Sequence, residues 1–195
     1  APGLNSLPYI VYKMCPSTLD ILHKIGTKIW KTKDIPDDWA IAFTVLLAKT
    51  EKLDNPAEFR PISITSTVGK IFFSVLSSRL QHFMVKNTYI DRQVQKGFIN
   101  GVAGCLEHSY TLWKALEDAK LNQRQLVISW IDLANAYGSV RHNLIQFALN
   151  WYHVPQDIQD LIFDYYEKLM SKIVTREWST GFFLFEIGCF QGRVL

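Results

Sequence analysis

Apolar residues recur every three or four positions in several stretches of the chain, a spacing that predicts amphipathic helices. The first predicted helix begins at Ser17, which can serve as its N-cap, and ends near Pro36. The last begins at Pro155, because proline is well tolerated as a first helical residue. Between them the pattern predicts helices over residues 65–84, 105–122 and around 144–149.

Short continuous apolar runs between these helices predict strands. Residues 39–48 and 59–64 flank a polar turn, and Pro61 in the second run lacks the N–H group that a central strand donates. We therefore expect the second strand at a sheet edge or at an irregularity of the sheet, with Arg60 on the rim rather than in a core. Two further strands, joined by a short turn, are predicted over residues 172–175 and 181–186.

The apolar run over residues 126–131 ends at Asp132, and Tyr137 follows five residues later. The run is rich in β-branched and aromatic residues and is too short for an ordinary helix, so it predicts a strand covered on both faces. A carboxylate at the end of a buried strand needs a partner, because burying an unpaired charge is costly. Asp132 can cap the next helix by accepting backbone N–H bonds, or it can bind a metal ion.

The composition is typical of a folded globular protein, since 48% of the 195 residues are hydrophobic and 13% are aromatic. No stretch contains the roughly 18 uninterrupted apolar residues of a membrane span, and no secretory signal opens the sequence. We therefore expect a soluble, intracellular protein. Cys15, Cys105 and Cys189 are odd in number and far apart, which favours small buried side chains over a disulfide framework or a zinc site.

The formal net charge of +3 permits an anionic partner but does not demonstrate one. Lys49 and Arg60 flank the same predicted loop, so that both cationic groups could converge on one anion. The alternative is a surface lysine and arginine with no common partner, and the residues alone favour it.

Five short motifs follow one another along the chain: Pro2-Gly3, Lys49 with Arg60-Pro61-Ile62-Ser63, Gln95-x-Gly97-Phe98, Asp132-x-x-x-x-Tyr137-x-Ser139-Val140, and Gly188-x-x-Gln191-Gly192. In this order and spacing they resemble the reverse transcriptase domain of non-LTR (LINE-type) retrotransposons, over nearly all of the chain. The resemblance implies an α+β fold of the right-hand polymerase type. It places a fingers subdomain over residues 1–95 and the first part of the palm over residues 96–195.

The resemblance implies an RNA-directed DNA polymerase, in which two divalent cations, Mg²⁺ or Mn²⁺, stabilise charge on the attacking and leaving oxygens. Asp132 matches the first metal-binding carboxylate and is therefore the candidate catalytic residue. Tyr137 matches the aromatic gate that would collide with a ribose 2′-hydroxyl. A template-dependent RNA polymerase is disfavoured for the same reason, because such a gate has no use with ribonucleotides.

The other matches concern binding. Lys49 and Arg60 match cations that clamp the triphosphate, for which the planar guanidinium is well suited. Gln191 matches a residue that packs on the nucleotide sugar and base, and Gly192 allows close approach of the backbone. The implied partners are an RNA template, a DNA primer and a deoxynucleoside triphosphate, in the nucleus and/or the cytoplasm, with no membrane and no implied oligomeric state. Template-side residues are Lys70, Gln95, Gly97 and Phe98.

The sequence also departs from the family pattern. Asn5-Ser6 stands where an Asp-Gly pair is usual, and Phe190 stands where many members have a basic residue. The aromatic-x-Asp-Asp hairpin, which supplies the remaining metal-binding carboxylates, does not occur in the sequence and is expected after Leu195. The 195 residues alone are therefore expected to be inactive, and enzymatic activity stays an open question. The alternative is a domesticated or decayed copy that acts as a non-catalytic nucleic-acid- or protein-binding module.

Overall fold

A computed structural model describes residue 3, residues 6–51 and residues 54–191. The helices are α1 (Tyr9–Met14), α2 (Pro16–Thr32), α3 (Asp37–Ala40), α4 (Thr67–Lys86), α5 (Gly104–Leu121), α6 (Ala136–Ser139), α7 (His142–Trp151) and α8 (Gln156–Glu167). The strands are β1 (Ile41–Ala48), β2 (Phe59–Thr65), β3 (Met170–Ile173) and β4 (Phe183–Leu184). This mixture of helices and one small sheet is compatible with the predicted α+β class.

The four strands form one sheet in the order β2-β1-β3-β4. β1 pairs with β2 and β3 pairs with β4 in antiparallel fashion, whereas β1 and β3 are parallel. The predicted edge position of β2 is confirmed, and Pro61 is exposed there, opposite Leu46. Residues 39 and 40, predicted as the start of the first strand, instead lie in α3.

The chain divides into two compact units, which are described separately: unit 1 comprises residues 1–76 and 135–195, and unit 2 comprises residues 77–134. The core of unit 1 is formed where the first half of α4 meets α8. Phe73 and Tyr165 are fully buried there, with ring centroids 4.6 Å apart. Gly69 lies under Trp39, where an added Cβ would come within 3.1 Å of the indole ring.

A row of hydroxyl groups crosses the buried face of the unit 1 sheet. Thr44 on β1 lies 3.3 Å from the Ser63 hydroxyl on β2 and 2.8 Å from the Ser171 hydroxyl on β3. All three residues are buried, so each hydroxyl depends on the others for hydrogen bonding. These hydrogen bonds therefore fix how far β2, β1 and β3 are shifted along one another.

Lys168, just after α8, fastens the segment before α3 to that helix. Its Nζ donates to Asp34 Oδ1 at 2.6 Å, to the Ile35 carbonyl at 2.8 Å and to Asp164 Oδ2 at 3.0 Å. The Ile35 N–H donates to the same Asp164 oxygen at 2.6 Å. Partial desolvation lowers the pKa of Lys168, but its hydrogen bonds to Asp34 and Asp164 outweigh that effect and raise the pKa.

Unit 2 contains the second half of α4, a glycine-containing loop, α5 and the segment that follows it. The Gln81 side chain organises the loop, because its amide donates to the Phe98 carbonyl and its oxygen accepts from the Asn100 N–H at 3.0 Å. Lys96 and Glu107 form an ion pair of 2.6 Å between the loop and α5. None of the described residues of α5 is buried.

The predicted buried strand over residues 126–131 is wrong. The segment is assigned no strand, and Val127, Trp130 and Ile131 are 88%, 82% and 91% exposed. Residues 125–134 make no backbone–backbone hydrogen bond to any other described residue. β-forming side chains produce a strand only where a neighbouring strand takes up the backbone groups, and the described part of the chain offers none here.

Smaller corrections concern a helix terminus and the cysteines. The N-cap of α2 is Cys15 rather than Ser17, because Pro16 occupies the first helical position. Cys15 and Cys105 are exposed rather than buried, and only Cys189 is partly covered. None of the helices in the described ranges combines the length and apolar character that crossing a membrane requires.

Candidate functional site

Tyr137 lies in the single turn of α6, which forms a tight corner in unit 1. Asn135 opens the corner with a φ of 50°, a left-handed conformation that asparagine adopts more readily than most residues. The Ser139 N–H then donates to the Asn135 carbonyl at 3.0 Å. Gly138 leaves space for the Asn135 side chain, whose amide nitrogen would lie 2.5 Å from an added Cβ. Tyr137 is 43% exposed, so its ring is accessible.

A second turn, around Gly188, packs directly against this corner. The Cys189 N–H donates to the Tyr137 carbonyl at 2.8 Å, and the Gly188 N–H donates to the Val140 carbonyl at 2.7 Å. Gly188 has a φ of 100°, and an added Cβ would lie 3.0 Å from both the Gly138 Cα and the Tyr137 carbonyl oxygen. Glycine is therefore required at position 188 by conformation and by space.

The side chains of His142 and Tyr166 contact adjacent residues of the Gly188 turn. The His142 Nε2 lies 3.0 Å from the Gly188 carbonyl oxygen, and the Tyr166 hydroxyl lies 3.4 Å from the Cys189 sulfur. The His142 and Tyr166 rings contact each other, with centroids 4.7 Å apart. Burial, together with the adjacent Cys189 thiol, raises the pKa of Tyr166, so the phenol is neutral and can donate its proton.

The turn continues to Gln191 at the edge of the sheet. Phe190 is buried and its ring lies 4.8 Å from the ring of Phe185, centroid to centroid. The Gln191 carbonyl accepts a hydrogen bond of 3.0 Å from the Ser63 N–H on β2. The fold thus brings Gly188 and Cys189 to the Tyr137 corner and places Gln191, which is 54 residues after Tyr137 in the sequence, against β2. Gly192 lies outside the described residues.

Lys49 and Arg60 lie at the loop end of the β1–β2 hairpin. The Lys49 N–H donates to the Glu58 carbonyl, and its Nζ donates to the Ala57 carbonyl at 2.8 Å. Arg60 is exposed and pairs across the strands with Leu47. Lys49 therefore closes the loop, but an ammonium group carries three donors and one carbonyl bond leaves two of them for an anion.

Asp132 and most of the template-side residues belong to unit 2, whereas the nucleotide-side residues and Lys70 belong to unit 1. Asp132 is exposed and lies in the unpaired segment. Phe98 is 86% exposed with a φ of 60°, and the Gln95 amide donates to the Gly97 carbonyl at 3.0 Å. Lys70 lies in the first turn of α4, half-buried.

No group of three or more His, Cys, Asp or Glu side chains within the described ranges is arranged to hold a metal ion. Asp132 offers the hard oxygen donor that Mg²⁺ prefers, but a single carboxylate does not make a magnesium site. The described residues thus do not by themselves fit the two cations that the resemblance implies.

The sequence motifs did not identify His142 and Tyr166, because neither lies in the quoted motifs nor at a catalytic spacing from them. A cavity of about 420 Å³ beside the corner, lined by Ser139, Arg141, Asn143, Leu144 and Phe147, was also not anticipated. The sequence offered one signal for His142: it lies three residues after Ser139, which belongs to the Tyr137 motif.

No protein-family model matches the chain. The chain is 27% identical, over its full length, to the "Retrovirus-related Pol polyprotein from type-2 retrotransposable element R2DM" of Drosophila melanogaster. It is 32% identical over 67% of its length to the Pol polyprotein of the "type-1 retrotransposable element R2" of Bradysia coprophila. A "Probable RNA-directed DNA polymerase from transposon BS" of Drosophila melanogaster is 24% identical over 73% of the chain. The chain spans 18%, 14% and 16% of the lengths of these relatives.

Proposed function

The chain belongs to the reverse transcriptase-related domains of non-LTR retrotransposon Pol polyproteins, and from that premise we propose that it forms the nucleotide-binding part of an RNA-directed DNA polymerase. The observation that carries this proposal is the contact between the Tyr137 corner and the Gly188–Gln191 turn. Two sequence motifs that the resemblance assigns to one bound nucleotide meet there through backbone hydrogen bonds of 2.8 Å and 2.7 Å.

In the proposed site Tyr137 faces the sugar of the incoming nucleotide and excludes a 2′-hydroxyl by collision. Gln191 lies against the sugar and base, with Gly192 next to it. Arg60, which is exposed at the hairpin, binds the triphosphate together with the two Lys49 donors that the loop leaves available. Each of these roles requires an accessible group on a rigid element, and the β1–β2 hairpin and the packed turns provide it.

The rest of the proposal concerns the template and the metal. Lys70, Gln95, Gly97 and Phe98 contact the RNA template, and the exposed Phe98 ring can stack on a base. Two Mg²⁺ or Mn²⁺ ions would supply the charge stabilisation that phosphoryl transfer needs, with Asp132 as one carboxylate ligand. Because the described residues do not complete such a site, the 195 residues alone should not polymerise. Copying takes place in the nucleus and/or the cytoplasm.

The test is templated incorporation by the complete protein that carries these residues, with an RNA template, a DNA primer and Mg²⁺. The wild-type protein should extend the primer with deoxynucleotides and strongly disfavour ribonucleotides. Tyr137→Ala should raise the kcat/KM for ribonucleotides by at least about tenfold, because the collision with the 2′-hydroxyl is removed. Measured single-nucleotide kinetics on a defined primer give both constants.

Tyr110→Ala is the matched control, since Tyr110 is similarly exposed but lies on α5. It should leave the discrimination between the two sugars unchanged. Unchanged discrimination in Tyr137→Ala would contradict the gate assignment. Absence of any templated extension by the complete wild-type protein would contradict the proposed function. Extension by the isolated 195 residues would contradict the claim that they are inactive on their own.

A further inference from the structure

Three consecutive backbone groups of the Gly188 turn are held by one short stretch of chain, residues 137–142. The Tyr137 carbonyl accepts from the Cys189 N–H, and the Val140 carbonyl accepts from the Gly188 N–H. The third group, the Gly188 carbonyl, is held by a side chain, the His142 imidazole. We call these three hydrogen bonds the Gly188 clamp. Any sequence can form the two backbone–backbone bonds, so the bond to the His142 imidazole is the part of the clamp that depends on a particular side chain.

The hydrogen bond fixes the protonation of one ring nitrogen. A carbonyl oxygen can only accept, so the His142 Nε2 must carry a proton and donate it to the Gly188 oxygen, 3.0 Å away. His142 is also the first residue of α7, which follows the Tyr137 corner after Val140 and Arg141. The donor is therefore attached to the same rigid stretch that positions Tyr137.

The imidazole is itself held in place. Its ring packs against the Tyr166 ring at 4.7 Å with an interplanar angle of 55°, and Tyr166 is 6% exposed. The Tyr166 hydroxyl lies 3.4 Å from the Cys189 sulfur, the residue next to Gly188. Side chains from α7 and α8 thus contact adjacent residues of the turn, and their rings pack against each other.

From this geometry we infer that His142 is a positioning residue for the nucleotide site: by holding the Gly188 carbonyl it keeps Gln191 in register with Tyr137, and so sets the discrimination between deoxyribose and ribose. The inference rests on the proposed function, because it assigns a role to the same site. Tyr137 bounds the sugar on one side and Gln191 follows the clamped Gly188 by three residues. Loosening the clamp widens the space between them, which admits a 2′-hydroxyl.

The alternative is a residue that braces the fold and has no specific effect on the site. A pair of substitutions separates the two roles. In His142→Gln the side-chain amide nitrogen stands near the position of Nε2 and can still donate to Gly188. In His142→Asn the amide nitrogen stands near the position of Nδ1, and the side chain is too short to reach the Gly188 carbonyl oxygen. Both replacements are polar and both remove the ring that packs on Tyr166.

The experiment measures kcat and KM for a deoxynucleotide and the matching ribonucleotide with the complete protein, together with thermal melting of each variant. His142→Asn should reduce the discrimination ratio by about tenfold, the change that corresponds to ~1.4 kcal/mol and to one lost hydrogen bond. The change should appear mainly as a lower KM for the ribonucleotide, because the widened space admits its 2′-hydroxyl. His142→Gln should restore the discrimination ratio to within about threefold of wild type, although its melting temperature should be similar to that of His142→Asn.

His23→Asn is the matched control, because His23 is exposed on α2 and should leave all constants unchanged. Equal discrimination in His142→Asn and wild type would overturn the inference, and so would an equal loss in His142→Asn and His142→Gln. A wild-type protein that extends no primer would instead contradict the proposed function, so the two failures are distinguishable.

Discussion

The two units of this protein contain similar kinds of side chain but bury them very differently. In the described part of the chain every buried residue belongs to unit 1, and none of residues 77–134 is buried. Unit 2 nevertheless contains Trp113, Leu121 and Ile131, all more than half exposed. A hydrophobic pattern thus predicts a local element in both units, but it stabilises the fold only where a second element covers it.

The difference has an energetic meaning. A fully buried large apolar side chain contributes about 1.5–3 kcal/mol relative to an exposed one, and unit 1 contains many such residues. In unit 2, α5 is held by its own backbone hydrogen bonds and by surface ion pairs such as Lys96 with Glu107. Isolated helices of this kind are marginal in water. We therefore expect unit 1 to determine the free energy of unfolding.

The largest expected effect compares two phenylalanines, one in each unit. Phe73→Ala should lower the free energy of unfolding by about 3–5 kcal/mol, because Phe73 is fully buried against Tyr165. Phe98→Ala should change it by less than about 0.5 kcal/mol, because Phe98 is 86% exposed. Chemical denaturation of both variants measures the difference. Similar losses in the two variants would show that unit 2 has a core of its own.

A smaller effect is expected at the glycines. Gly188→Ala should cost about 1–3 kcal/mol, because it combines a φ of 100° with contacts of 3.0 Å to the Tyr137 corner. Gly101→Ala in unit 2 should cost about 1 kcal/mol, since its φ is 75° but no described atom lies within 4 Å. Gly181→Ala, which has neither constraint, is the control and should be nearly neutral. Denaturation midpoints rank the three, and a cost at Gly101 equal to that at Gly188 would contradict the close packing of the turn.

The smallest effect concerns lysine ion pairs. Lys168→Met should cost about 1 kcal/mol, because Lys168 binds two carboxylates and a carbonyl while its side chain is 27% exposed. The pKa of Lys168 is raised in the folded protein, so its contribution is present below the ordinary lysine value of 10.5 and is lost as the pH rises through the folded pKa. The stability difference between wild type and variant should therefore shrink above pH 10.5.

Lys114→Met provides the comparison in unit 2. The Lys114–Glu117 pair has side chains 49% and 41% exposed and should contribute less than about 0.5 kcal/mol. Urea denaturation at neutral pH and above pH 10.5 measures both lysines. If Lys114→Met proved as costly as Lys168→Met, the small contribution expected from exposed ion pairs in unit 2 would be wrong.

Much of the local structure could be predicted from the sequence. The β1–β2 hairpin follows from two apolar runs around a polar turn, and Pro61 correctly placed β2 at an edge, because proline lacks a donor. The helical stripes gave α2, α4, α5, α7 and α8 with shifts of a few residues at their ends. The parallel pairing of β1 with β3 was not predictable, since these strands are more than 100 residues apart in the sequence.

The candidate site likewise contains features that could be predicted from the sequence and features that could not. Tyr137, Gln191, Lys49 and Arg60 could be named as candidates from the order of the motifs, through their resemblance to those of reverse transcriptases. The contact between the Tyr137 corner and the Gly188 turn could not be predicted, since the two segments are about 50 residues apart in the sequence. The expectation for residues 126–131 failed because strand propensity describes a side chain on a pleated surface, and a strand also needs a partner for its backbone.

The sequence by itself determined the elements, the edge position of β2 and the chemical types of the candidate site residues, because these depend on neighbours within a few positions. Only the tertiary structure decided which apolar faces are covered, that the Tyr137 corner meets the Gly188 turn, and that His142 holds that contact. The physical reason is that burial and long-range hydrogen bonds depend on which distant segments meet, and the spacing of residues along one segment does not specify its partner.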